Sequence, residues 1–141
     1  MERIERQQWV LQAWSIAQRF QKYLVVGAIG LGVNQGLLML LVSLFGLPVA
    51  LASPPAIAVS VIVTFVLNET WTWHDRGSGK VLHRALIYLA INSGGLLINW
   101  GLLVWLEGRG MPYQIANLFG AAVAAVWNFT LNNAITWRES P

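Results

Sequence analysis

Between Lys22 and Glu69 lie 46 residues without a single charged side chain. Two further gaps follow, 22 residues between Arg84 and Glu107 and 28 between Arg109 and Arg138. A helix rises about 1.5 Å per residue and needs about 20 apolar residues to cross a hydrocarbon core. The first gap is long enough for two crossings, and Phe45-Gly46-Leu47-Pro48 marks a break inside it. The charge pattern therefore predicts four spans, roughly 23–45, 49–68, 85–106 and 113–133. Only 11% of the 141 residues are charged and 56% are hydrophobic, against about 25% charged in an ordinary soluble domain. A soluble fold of this size could not bury that much apolar surface. The expected class is an all-α integral membrane protein with a four-helix domain over residues 23–138.

The distribution of Lys and Arg sets the expected orientation. Arg3, Arg6, Arg19 and Lys22 precede span 1, Arg76, Lys80 and Arg84 lie between spans 2 and 3, and Arg138 follows span 4. Arg109 alone lies on the other side. Both termini and the 69–84 loop are expected in the cytoplasm, with the chain in the cytoplasmic (inner) membrane. The net charge of +3 is thereby explained by topology, and no nucleic acid partner is expected. Ala50-Leu51-Ala52 resembles a signal-peptidase site, but the apolar run before it exceeds the roughly 7–15 residues of a signal h-region, so a retained span is expected.

Residues 1–22 read as a separate element. Val10, Trp14, Ala17 and Phe20 fall near one helical face, with Glu2, Arg3, Gln8, Gln12 and Arg19 elsewhere. The pattern suits an interfacial amphipathic helix. The first turns of a long span 1, or a mobile tail, are the alternatives.

The two halves of the chain match at an offset of 64 or 65. Tyr23-Leu24 pairs with Tyr88-Leu89, Gly30 with Gly95, and Asn34 with Asn99. Farther on, Gly46 pairs with Gly110, Pro48 with Pro112, Asn68 with Asn132, and Thr72-Trp73 with Thr136-Trp137. The reading is two tandem copies of one helical hairpin, each beginning and ending inside. That makes the repeat parallel, unlike the inverted repeats of many transporters.

The second helix of each copy carries a stripe at four-residue spacing. It runs Ala52, Ala56, Ser60, Thr64, Asn68 in span 2 and Ala116, Gly120, Ala124, Asn128, Asn132 in span 4. Small residues at this spacing let helix backbones approach closely. Both stripes become more polar toward the cytoplasmic end. A shorter stripe in span 1, Ala28, Gly32 and Gly36, is a candidate face for a homo-oligomer.

Polar residues inside spans are costly unless paired, which makes Asn34, Asn92, Asn99, Asn117 and Asn128 functional candidates. They serve either as interhelical hydrogen-bond partners or as the lining of a crevice for a polar headgroup. Trp71, Trp73 and Trp137 suit an aromatic belt at the cytoplasmic interface. Lys80, Arg84 and their basic neighbours would attract anionic lipid phosphates there. His74 and His83 are a weak ligand set without a third histidine or any cysteine, so no metal and no cofactor are expected. No nucleophile–base pair, phosphate loop or carboxylate pair stands out, and no catalytic residue is assigned.

The sequence resembles the GtrA-like family of small four-span membrane proteins over about residues 20–138. The resemblance rests on Val26-Gly27 and Asn34, on Phe65-Val-Leu-Asn68-Glu-Thr-Trp71-Thr72-Trp73, and on Trp127-Asn128-Phe129 through Thr136-Trp137. The family pattern after span 2 reads Asn-Arg-x-Trp-Thr-Phe. Glu69 stands here at the arginine position, and Asn133 at the corresponding place after span 4. A phosphate-gripping role for that arginine is therefore not carried over.

The resemblance implies a non-enzymatic role in cell-surface polysaccharide synthesis. The chain would flip a polyprenyl-phosphate-linked sugar across the membrane, or act as the membrane partner of a glycosyltransferase. A small-molecule exporter is a third reading, weakened by the lack of a carboxylate inside any span. The headgroup-binding candidates are Asn34, Asn68, Asn99, Asn128, Asn132, Trp71, Trp73, Lys80 and Arg84.

Overall fold

Helix ends in this chain are written by glycine and proline. In the computed structural model, which describes residues 1–139, α1 spans Glu2–Ser43 and α2 Val49–Leu67. Gly46 between them sits at φ 65°, and the Leu47 N–H closes back on the Leu41 carbonyl. Only glycine takes this left-handed conformation without strain, so it ends the helix, and Pro48 caps the next. Gly110 at φ 94° and Pro112 repeat the device between α3 (Val81–Gly108) and α4 (Tyr113–Leu131). Both α2 and α4 run on into a π-turn, Asn68–Thr72 and Asn132–Thr136 respectively.

The chain divides into a first unit, Met1–His74, and a second that begins at Asp75. Each is a helical hairpin. Among the described residues four helices are long and apolar enough to cross a membrane, Glu2–Ser43, Ala50–Thr72, Val81–Gly108 and Gln114–Thr136. Little of their apolar surface is covered: Leu31 is 61% exposed, Leu97 68% and Leu118 70%. That is the surface expected of helices solvated by hydrocarbon rather than water.

Within each hairpin the seam is built from small residues. In the first unit Ala52 and Ala56 are buried on α2 and Val26 and Gly30 on α1. The Ser60 hydroxyl donates to the Gly30 carbonyl at 2.7 Å, and a side chain at Gly30 would collide with Thr64. In the second unit Gly95 is closed off by Asn128 and Gly120 by Asn99. The stripes read from the sequence are thus the packing faces of α2 and α4 on their own hairpin partners.

One boundary differs from expectation. No break separates residues 1–22 from span 1, because α1 is a single 42-residue helix. The physical reason is local. No proline or glycine occurs before Gly27, and Gln, Arg, Ala and Lys are good helix formers. At about 1.5 Å per residue the helix is about 63 Å long, twice the hydrocarbon thickness. The second span of each hairpin also runs longer than expected at its C-terminal end, since the π-turns carry α2 and α4 to Thr72 and Thr136.

Candidate functional site

Both hairpins end in the same local structure. An asparagine opens each π-turn, and its carbonyl accepts the backbone N–H five residues on: Trp73 to Asn68 and Trp137 to Asn132, both at 2.8 Å. The asparagine Oδ1 accepts the hydroxyl four residues on, from Thr72 at 2.8 Å and from Thr136 at 2.7 Å. The wide turn swings the tryptophan inward. Trp73 and Trp137 are both 0% exposed. Trp73 stands 6.0 Å from the Tyr23 ring and Trp137 5.7 Å from Tyr88, centroid to centroid. These tilted arrangements suit the aromatic quadrupole. A π-turn is rare and is often found at functional sites. Here it also locks the foot of each hairpin.

The remaining candidates lie at different depths. Trp71 is 40% exposed, with the Lys22 ammonium 5.7 Å from its ring centre. Lys80 is exposed at the start of α3. Arg84 is buried, and its guanidinium donates to the carbonyls of Ser78 and Gly79, fastening the loop that precedes α3. Asn34 is half-buried on α1. Asn99 and Asn128 are half-buried on α3 and α4. The structure thus brings Asn68 with Trp73, and Asn132 with Trp137, into two equivalent feet. Lys80 and Trp71 lie at the surface, outside these feet.

The second unit carries a further feature. The Asn92 Nδ2, Asn99 Oδ1, Asn128 Oδ1 and Asn132 Nδ2 atoms are buried without a hydrogen-bond partner. From the level of Gly120, which faces Asn99, to Asn132 the rise along α4 is about 18 Å. A buried amide atom left unpaired costs about 1–3 kcal/mol.

Several residues that fasten these feet were not singled out from the sequence. Arg19 donates to the Thr72 carbonyl at 2.9 Å. Arg76 Nη1 donates to Asn133 Oδ1 at 2.8 Å, and its Nη2 meets Glu139 Oε1 at 2.7 Å. Arg19 and Arg84 fall in step at the repeat offset, a signal that could have been read. Nothing in the sequence pairs Arg76 with Asn133, 57 residues away. Among the described residues no three His, Cys, Asp or Glu side chains gather in a way that could hold a metal ion.

Four apolar helices in two hairpins, with aromatic-locked polar feet and a line of buried amides, define a multi-pass helical membrane protein. Residues 22–138 match the GtrA/DPMS transmembrane domain, and the chain belongs to that family. It is 33% identical over 119 residues to a dolichol-phosphate mannosyltransferase of Pyrococcus furiosus. The match takes in 84% of this chain and 34% of that protein, so the chain spans about a third of the length of this relative.

Proposed function

We propose that the chain moves a polyprenyl-phosphate-linked sugar across the cytoplasmic membrane without doing covalent chemistry itself. The observation that carries this reading is the line of unpaired buried amides at Asn92, Asn99, Asn128 and Asn132. A sugar head leaving water loses its hydrogen bonds, and amides spaced through the span return some of them in turn. The isoprenoid tail needs no such path, because it stays in lipid. In this reading both termini face the cytoplasm. Trp71 and Lys80 receive the head there, and the exposed Ala28, Gly32 and Gly36 face serves self-association.

One observation favours a second reading. The P. furiosus relative is a mannosyltransferase by name, and this chain corresponds to only a third of it. A module of that kind could serve as the membrane partner of a separate glycosyltransferase.

Reconstitution in liposomes with a labelled polyprenyl-phosphate sugar separates the two. Translocation by the pure protein, slowed by Asn99→Leu and Asn128→Leu, is expected. No translocation, together with stimulation of a co-reconstituted transferase, would replace the first reading by the second.

A further inference from the structure

The Arg76 guanidinium is held in a fixed orientation with two of its five N–H donors unspent among the described residues. Nη1 is anchored to the protein, donating to Asn133 Oδ1 at 2.8 Å and lying 3.4 Å from the carbonyls of both Asn133 and Trp137. Nη2 makes a single contact, to Glu139 Oε1 at 2.7 Å. An arginine carries five N–H donors, and its Nε–Nη2 edge is the fork that takes two oxygens of one anion. Among the described residues that edge holds one carboxylate oxygen. The Arg76 side chain is 11% exposed and that of Glu139 79%. The cation is therefore fixed, and its counter-ion sits on an exposed side chain able to swing away.

A groove of about 530 Å³ lies in the same unit, lined by Ile98, Val126, Trp127, Thr130 and Leu131 among others. Its volume is in the range of small-ligand sites, and its lining is almost wholly apolar. It follows α4 to Leu131, two residues short of Asn133, whose side chain holds Arg76. The groove thus runs along α4, and the turn that continues this helix fastens the guanidinium through Asn133. That order suits a ligand with a hydrocarbon tail ending in a phosphate.

We propose that Arg76 is the phosphate grip for an isoprenoid lipid phosphate whose tail lies in the groove along α4, and that the Glu139 carboxylate covers the grip when no lipid is bound. The proposal rests on the translocation reading and adds to it the residue that recognises the phosphate. Charge complementarity selects the occupant: a neutral isoprenol has nothing to offer the fork, and free phosphate has nothing for the groove.

The test is equilibrium binding to the full chain in neutral phospholipid nanodiscs. The probes are geranylgeranyl monophosphate, geranylgeraniol, phosphatidylglycerol and inorganic phosphate. The wild type should prefer geranylgeranyl monophosphate to the other three. Arg76→Gln should weaken that binding roughly tenfold or more, the loss of a charge-assisted hydrogen-bond pair. Arg76→Lys, which keeps the charge without the fork, should fall between. Glu139→Gln should tighten binding roughly two- to fivefold, the strength of an exposed ion pair that no longer competes. That variant changes an exposed side chain and decides the matter if Arg76→Gln fails to fold. Wild-type binding that is indifferent to Arg76→Gln and Glu139→Gln would overturn the grip while leaving the translocation reading in place. Equal binding of phosphatidylglycerol would overturn the isoprenoid assignment. No preference for phosphate over alcohol in the wild type would overturn both proposals.

Discussion

Removing the Thr136 hydroxyl should damage the second hairpin more than removing the asparagine it binds. Thr136 is 4% exposed and Asn132 0%, and their bond is 2.7 Å long. In Thr136→Val the shape is kept, but Asn132 Oδ1 loses its donor. Its Nδ2 already lacks a partner, so both ends of a fully buried amide are then unsatisfied. The expected cost is about 1–3 kcal/mol. In Asn132→Leu the unpaired Nδ2 disappears with the amide, and the Thr136 hydroxyl can turn to a backbone carbonyl of the preceding turn. The expected cost is below about 1 kcal/mol. The double variant should show a coupling of about 0.6–1.7 kcal/mol, from the average to the largest value measured for polar pairs inside a membrane protein. Unfolding equilibria in bicelles, followed for the wild type and all three variants, measure these terms. A coupling below about 0.3 kcal/mol, or a larger loss from Asn132→Leu than from Thr136→Val, would refute the reasoning. Translocation per folded molecule should nevertheless fall in Asn132→Leu, because the proposed path for the sugar head uses the unpaired Asn132 Nδ2.

Three other outcomes follow from the packing and the charges. A Cβ at Gly120 would lie 2.7 Å from the Asn99 carbonyl oxygen and 3.2 Å from its Cα. Neither backbone atom can step aside, so Gly120→Ala should cost about 1–3 kcal/mol. Gly101→Ala, with nothing within 4 Å, should be neutral or slightly stabilising in the same bicelle unfolding assay. Trp127→Phe keeps an aromatic ring but loses the 3.1 Å bond from Nε1 to the Ile91 carbonyl, and should lower stability by about 0.5–1.5 kcal/mol. For orientation, Ser78→Cys should resist an impermeant thiol reagent in intact cells while Arg109→Cys reacts. Labelling of Ser78→Cys from outside would invert the proposed topology.

Asparagine was the hardest residue to read. Asn68, Asn132 and Asn128 all lie on the four-residue stripes of spans 2 and 4, and the sequence marked all three as headgroup candidates. In the structure Asn68 and Asn132 are tied to Thr72 and Thr136 within their own turns. Asn128 instead fills the space beside Gly95 with its Oδ1 unpaired. Spacing shows which residues share a face, but not which atoms meet. Trp73 and Trp137 were legible as interfacial and proved fully buried, because the extra residue of the π-turn rotates them toward Tyr23 and Tyr88. Arg84 was legible as one of a basic cluster; its hydrogen bonds to the Ser78 and Gly79 carbonyls depend on the course of a loop that composition does not specify.

The number of crossings and their pairing into hairpins came from the sequence by itself. Both follow from transfer free energy, which each residue contributes wherever it sits, and from glycine and proline, whose constraints on φ are local. The small-residue stripes belong with them, since four-residue spacing fixes a face without reference to anything else. The tertiary structure alone decided that the amides of the second unit include unpaired atoms, and that Arg76 is held by Asn133. Each of these depends on distances or angles between groups far apart along the chain. A hydrogen bond is won or lost within a few tenths of an ångström, a scale that hydrophobic pattern does not encode.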